Sequence, residues 1–292
     1  MFRLEATSMI RLSDCLGFEV MRLNRQLAAK DISMTDRFPL PNASADLTGE
    51  IAIVTGATAG LGRRFAQMLA AAGATVVVTG RRFERLDEVV ADIEARGGRA
   101  LAVRLDVTDA DSITAAVNRC EAELGLPTIL VNNAGIPDAR RANKMPVELV
   151  DRVLATNLRG PYLMACEVAR RLIGAGRGGR IVNISSIAAF DYGGSGAALY
   201  SITKAAVNRM TEVLAVEWAG YGINVNAIAP GSFASEMMDG MIERIGDHSG
   251  SFPRKRLGDP AQLDSTLLYL VAPSSEFVTG TVVKVDDGQH RR

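Results

Sequence analysis

From Glu50 onward, short β-branched runs alternate with longer stretches in which apolar residues recur every three or four positions. Ile51 to Thr55, Thr75 to Thr79, Ala100 to Leu105, Thr128 to Val131, Arg180 to Ile184, Ile223 to Ile228 and Thr281 to Val285 read as seven strands. Several are apolar at consecutive positions, the pattern of strands covered by helices on both faces. Helical periodicity predicts helices over 61–72, 82–96, 109–124, 147–173, 198–219 and 259–272, with Gly73, Gly97 and Gly174 as stops. Such β-α alternation predicts a Rossmann-like, doubly wound parallel seven-stranded sheet with helices on both faces. Residues 48–292 suffice for one domain of this kind, and 1–47 read as an N-terminal extension and linker.

Residues 1–33 scatter Arg, Lys, Asp and Glu among apolar positions and lack the uninterrupted apolar region of a secretory signal. Cys15 to Leu27 suits an amphipathic helix, but the Pro39, Pro41 and Asn42 stretch that follows reads as linker, and Met34 is the expected native start. Among 292 residues, 48% are hydrophobic and 23% charged, a globular composition. Lys plus Arg (33) balance Asp plus Glu (33), so no basic field exists to hold nucleic acid or an anionic membrane. The three cysteines are far apart and His248 and His290 have no ligands at metal spacing, so neither a disulfide framework nor a metal is expected. The longest uncharged stretch, Phe65 to Gly80, is broken by Gly73 and too short to span a bilayer. A cytoplasmic protein acting on a small molecule is the expectation.

The first strand runs into Thr55-Gly56-Ala57-Thr58-Ala59-Gly60-Leu61-Gly62 and then an apolar helix. Glycines at such a turn let the backbone approach a pyrophosphate, while the amides at the helix N-terminus face the anion. The second strand ends in Thr79-Gly80-Arg81-Arg82, with no acid where an NAD ribose would seek one. Arg81 can clamp a 2′-phosphate in a bidentate pair, so NADP(H) is preferred and NAD(H) is the second choice. Arg63, beside Gly62, is a weaker second phosphate partner. Hydride transfer to a carbonyl also needs a proton donor, and Tyr200 and Lys204 stand four apart on one predicted helix, on the same face. A nearby ammonium favours the phenolate of such a tyrosine, which makes it a usable acid and base near neutral pH.

The T-G-x-x-x-G-x-G spacing, Asn132-Asn133-Ala134-Gly135 after the fourth strand, Tyr200-Ser201-Ile202-Thr203-Lys204, and Pro230-Gly231 after the sixth strand occur in order along nearly all of 48–292. On these motifs the chain resembles the short-chain dehydrogenase/reductase family. The resemblance implies an NAD(P)-dependent oxidoreductase interconverting a secondary alcohol and a ketone. It implies cofactor contacts at Gly56, Thr58, Gly60, Leu61 and Gly62, at Asp106 and Val107 on the adenine side, and at Asn133, Ala134 and Gly135. Tyr200 and Lys204, then Pro230, Gly231 and Ser235, would contact the nicotinamide half. It further implies Ser186 as the catalytic serine and Asn157 as the holder of a proton-relay water linking Lys204 to solvent. Ser185 stays open, because the gap to Tyr200 is one residue longer than the family's commonest, with the surplus in the Gly193-Gly194-Ser195-Gly196 loop. By analogy, the long helices after the fourth and fifth strands and the last strand would build a homotetramer or homodimer.

Glu217 to Asn226 resembles the gluconate type within the family, leaving a sugar acid or polyol, a 3-oxoacyl compound and a small hydrophobic ketone as substrates. Phe233, Met237, Met238, Met241 and Ile242 suit the apolar face of a lid, with ordinary helix core as the alternative. Val285-Asp286-Asp287-Gly288 departs from the family's V-D-G-G by placing a carboxylate where glycine is expected. A different class, a non-catalytic dinucleotide sensor, would keep the glycine turn without needing Asn157, Ser186, Tyr200 and Lys204 together.

Overall fold

The computed structural model describes residues 41–194 and 196–290. The chain divides into the units Met1–Ala43 and Ser44–Arg292, and the second carries everything that follows. The expectations for residues 1–33 lie outside the described residues.

The strands are β1 (Ile51–Thr55), β2 (Thr75–Gly80), β3 (Arg99–Arg104), β4 (Ile129–Asn132), β5 (Gly179–Ile184), β6 (Ile223–Pro230) and β7 (Val282–Val285). They form one sheet in the order β3-β2-β1-β4-β5-β6-β7, parallel throughout. The chain winds outward from β1 to β3, then crosses back to lay β4 against the other side of β1. That reversal opens a crevice beyond the C-terminal ends of β1 and β4, where open α/β sheets bind ligands. The α-helices are α1 (Gly60–Ala71), α2 (Phe83–Ala95), α3 (Ala110–Glu123), α4 (Val147–Leu154), α5 (Gly160–Gly174), α6 (Ala198–Trp218), α7 (Glu236–Ile245) and α8 (Asp264–Val271).

Alternation along β1 divides the core. Ala52 and Val54 join a cluster with Phe65 and Leu69 of α1, Leu86 of α2 and Leu267 of α8. Ile53, between them, joins the opposite cluster with Ile113 of α3, Met164 and Val168 of α5, and Leu214 and Trp218 of α6. Each large apolar side chain withdrawn from water contributes about 1.5–3 kcal/mol, so both faces of the sheet are held and the strand ends are rigid supports for a site.

The structure departs from the periodicity in three places. The single helix expected over 147–173 is divided by a π-turn, Ala155–Arg159, between α4 and α5. Pro161 has no N–H to return to the carbonyl of Asn157, so the regular ladder cannot close there. The segment 259–272 begins as a 3-10 turn, Pro260–Leu263, under an Asp259–Gln262 capping box, and becomes α-helical only at α8. Phe233 is core rather than lid: it is buried and lies so close over Gly258 that a Cβ there would strike its ring. Cys120 and Cys166 are both unpaired thiols, and burial pushes Cys120 up to about 12. Among the described residues, no helix is long and apolar enough to cross a membrane.

Candidate active site

The glycine turn and the segment after β4 interlock. Asn133 Nδ2 donates to the carbonyls of Thr55 (2.9 Å) and Gly56 (3.1 Å), while Thr55 Oγ1 accepts the N–H groups of Asn133 and Ala134, both at 3.0 Å. Gly56 has φ +66°, and a Cβ on it would lie 2.9 Å from Ala134 Cα. Only glycine meets both demands. Gly62 is under stricter pressure, since its Cβ would drive into the Gly56 carbonyl oxygen and the Asn133 amide. Gly62→Ala is therefore expected to cost about 1–3 kcal/mol of stability and to weaken dinucleotide binding, as read by thermal unfolding and by nucleotide fluorescence titration.

The fit to a dinucleotide rests on α1. No side chain caps its N-terminus and no acid sits in its first turn, so the amides at Gly60, Leu61 and Gly62 face the crevice uncompensated. Ser235 stands opposite, with its Cβ 3.2 Å from where a Gly60 Cβ would be. Ser235 also caps α7, accepting the Met238 N–H at 3.2 Å. Leu61 packs half-buried against the core. On the adenine side, Asp106 Oδ1 accepts from Thr108 N (2.9 Å) and Oγ1 (2.8 Å). Burial would raise this carboxyl, but those bonds and the charge of Arg81 leave it below its ordinary value. Val107 is buried against Gly160 at the start of α5.

The arginines sort differently from their order in the sequence. Arg81 is exposed and makes no hydrogen bond among the described residues. Arg82 donates to Thr58 Oγ1 (2.7 Å) and to Glu236 Oε2 of α7 (3.1 Å), and Arg85 pairs with the same carboxylate. Arg63 leans toward Asp92 at 4.0 Å. Glu236, absent from the sequence reading, thus ties α7 to the mouth of the adenine pocket.

Where the family resemblance places the nicotinamide, four groups converge. Lys204 Nζ lies 5.5 Å from the centroid of the Tyr200 ring and donates to the Ile184 carbonyl at 2.7 Å. Ser186 hydrogen-bonds the phenol, whereas Ser185 is buried with its hydroxyl donated to the Lys204 carbonyl at 3.1 Å. Only Ser186 therefore faces the phenol. Asn157, in the π-turn, is buried with both ends of its amide spent on Ile136, accepting its N–H and donating to its carbonyl at 2.9 Å each. A Cβ on Gly135 would sit 3.5 Å from Asn157 Oδ1 and 3.7 Å from Lys204 Nζ, so this glycine marks the space those two groups share with the dinucleotide segment. Burial raises the Tyr200 phenol, with the charge of Asp138 adding to it and the Ser186 bond opposing it. Burial also lowers Lys204 to about 8. Near neutral pH the pair is a neutral phenol beside an ammonium.

The Pro230-Gly231 turn is held from the C-terminal side. Gly231 N–H donates to the Val285 carbonyl at 2.9 Å, and Gln289 Oε1 accepts the Ser232 N–H at 2.7 Å. The departure at Asp287 has a structural use: the residue adopts φ +53° and its carboxylate pairs with Arg254 (3.2 Å) and Arg256 (2.9 Å), fastening the segment beyond α7. His290 is buried and bonded to Asp286, with Lys284 Nζ 3.2 Å from its other ring nitrogen. His248 stands edge-on to Phe252, with centroids 5.3 Å apart. Among the described residues no cluster of metal-ligating side chains occurs.

The short chain dehydrogenase family model matches residues 50–245. The chain belongs to the short-chain dehydrogenase/reductase family. Within it, the chain is 36% identical over 245 residues to gluconate 5-dehydrogenase of Gluconobacter oxydans, covering 83% of this chain and 95% of that protein. It is 35% identical to the 3-oxoacyl acyl-carrier-protein reductase of Thermotoga maritima, covering 83% and 98%. A solved structure of a Beutenbergia cavernae protein, assigned as an NAD(P)-dependent gluconate 5-dehydrogenase and holding NADP at low occupancy, superposes with TM-score 0.78 at 32% identity, covering 85% of this chain and 99% of that one. These short-chain dehydrogenases are named for work on CH–OH and keto groups, and this chain is an oxidoreductase of that family.

Proposed function

We propose that the protein is an NADP-dependent reductase and dehydrogenase interconverting a ketone and a secondary alcohol, with Tyr200 as general acid and base. The observation that carries the reading is the convergence of Ser186, Tyr200 and Lys204 beside the segment that locks the glycine turn. A bound nicotinamide supplies or accepts the hydride. Ser186 and Tyr200 hold the substrate oxygen, and Tyr200 delivers its proton there. Lys204, as an ammonium, binds ribose hydroxyls and stabilises the phenolate left behind. Asn157, fixed on Ile136 next to Lys204, holds the path by which that proton is replaced. The amides of α1 hold the pyrophosphate, Arg81 and Arg82 take the 2′-phosphate, and Pro230, Gly231 and Ser235 border the carboxamide. A sensor without catalysis has no use for this proton-handling set.

For the substrate we favour an anionic sugar-acid ketone over a 3-oxoacyl compound. Arg140, Arg141 and Lys144 are exposed on the loop after β4, and Arg140 bridges to Ala197 just before α6, which supports an anionic substrate near the helix of Tyr200. Exposed Leu154, Tyr162 and Val213 line an apolar groove on α4, α5 and α6, which supports pairing with a second copy there. The test is NADPH oxidation against keto derivatives of gluconate, 3-oxoacyl thioesters and neutral ketones. Turnover of the first group is expected, and NADPH binding with no turnover of any member would return weight to a sensor.

Lys204 gives this reading a pH signature. Above about 8 the ammonium is lost, so NADPH affinity is expected to fall as pH rises through that value, and Lys204→Met to show weaker but pH-flat binding. The unfolded chain holds this proton up to its ordinary 10.5, so the unfolded state binds more protons and stability contributed by this group rises with pH between the two values. Lys204→Met is accordingly expected to unfold at a higher temperature than wild type at neutral pH.

A further inference from the structure

The helix that bears Tyr200 has a bare start. Ala197 occupies the capping position of α6 and offers no side-chain acceptor to the first amides. The acceptor comes from sixty residues upstream, where Asp138 Oδ2 takes the N–H of Leu199 at 2.9 Å and of Tyr200 at 3.1 Å. Asp138 is 2% exposed, and its other oxygen, Oδ1, is buried with no hydrogen-bond partner. Its loop takes on strain to reach this place. Ala139, the next residue, sits in the left-handed region at φ +48°, a conformation a side chain disfavours and a site retains only when its surroundings enforce it. Arg140 then bridges to Ala197, and Gly196 turns back with φ +79°.

We propose that Asp138 is a positioning residue that fixes Tyr200 by capping its helix from outside and, through its charge, holds the phenol in its neutral form against Lys204. The inference rests on the reading of Tyr200 as the acid. Two physical effects act together. The cap aligns the first turn of α6, and with it the phenol that must meet the substrate oxygen. The charge is the second effect: an unpartnered buried carboxylate oxygen is poorly screened, and a like charge nearby disfavours a phenolate, in line with the upward push of Asp138 on this phenol. The charged groups facing Tyr200 are Asp138 from the loop after β4 and Lys204 from its own helix, while the end of β5 contributes the neutral Ser186 hydroxyl and the π-turn the neutral Asn157. Asp138 and Lys204 thus pull the phenol in opposite directions, one favouring the acid and the other the phenolate.

Asp138→Asn and Asp138→Ala separate the two effects. Asparagine keeps an oxygen that can accept both N–H groups but carries no charge, whereas alanine removes cap and charge. The phenolate band of Tyr200, obtained by subtracting the ultraviolet titration of Tyr200→Phe, is read in each background, alongside thermal unfolding and the pH profile of kcat/KM. For Asp138→Asn the expectation is a near wild-type unfolding temperature, a Tyr200 titration moved to lower pH, and a matching move in the kinetic profile. Asp138→Ala is expected to unfold at lower temperature and to lose at least about tenfold in kcat. A Tyr200 titration in Asp138→Asn that overlays wild type would overturn the charge role, and an unchanged kcat in Asp138→Ala would overturn the cap. The titration needs no substrate, so a shift without turnover on any ketone would sink the proposed reaction and leave Asp138 standing; normal turnover without a shift would do the reverse.

Discussion

Replacing Tyr200 with Phe is expected to lower kcat for ketone reduction by about a thousandfold while leaving NADPH affinity within a few-fold of wild type. General acid catalysis by a placed side chain contributes about 10²–10⁴ in rate, and the substitution removes the phenol oxygen that Ser186 bonds while keeping the ring over which Lys204 lies. NADPH affinity should change little, because the phosphates are proposed to meet the α1 amides and the substitution removes only one phenol oxygen at the nicotinamide half. Stopped-flow NADPH oxidation at saturating substrate reads the first quantity and fluorescence titration the second. Turnover equal to wild type would remove Tyr200 as the acid. A large loss in NADPH affinity with modest loss in kcat would make it a binding residue instead.

The second large effect is in cofactor choice. Arg81→Ala is expected to weaken NADPH by roughly thirtyfold, about 2 kcal/mol, the scale of a hydrogen bond to a charged group, and to leave NADH unchanged. Arg82→Ala should act in the same direction but only several-fold. Its guanidinium is already engaged by Thr58 and Glu236, so a 2′-phosphate must compete with a carboxylate for it, whereas Arg81 is exposed and carries no hydrogen bond to give up. Glu236→Gln tests that difference: with the competitor neutralised, NADPH should bind more tightly and NADH as before. Dissociation constants for both nucleotides across the three variants decide it, and equal effects on NADPH and NADH would show that neither arginine meets the phosphate.

The fold was legible because its signals are local and repeated. Runs such as Thr75 to Thr79 and Ile223 to Ile228 are apolar on consecutive positions, and all seven strands fall within two residues of their expected ends. The one expected helix that broke did so at Asn157, where the deciding facts are a missing donor at Pro161 and a partner, Ile136, twenty-one residues away. Phe233, open in the sequence between a lid face and core, was decided as core for a similar reason: spacing shows that a side chain is apolar but not which neighbour, here Gly258, it covers.

The candidate site was legible as far as its residues announce themselves by type and spacing. Glycines at 56, 60 and 62, the four-residue step from Tyr200 to Lys204, and the order of the motifs between them mark the family and point to a dinucleotide turn and a proton-handling pair, because backbone clearance and helical pitch are set within a few residues. Contacts across long sequence distance were decided only by tertiary structure. Ser186 rather than Ser185 faces the phenol because Ser185 is drawn to the Lys204 carbonyl, Arg82 rather than Arg81 is bound at Thr58, and Asp138 caps a helix that begins sixty residues later. No local pattern encodes such pairings, since each depends on where separate strands and loops come to rest around the crevice between β1 and β4.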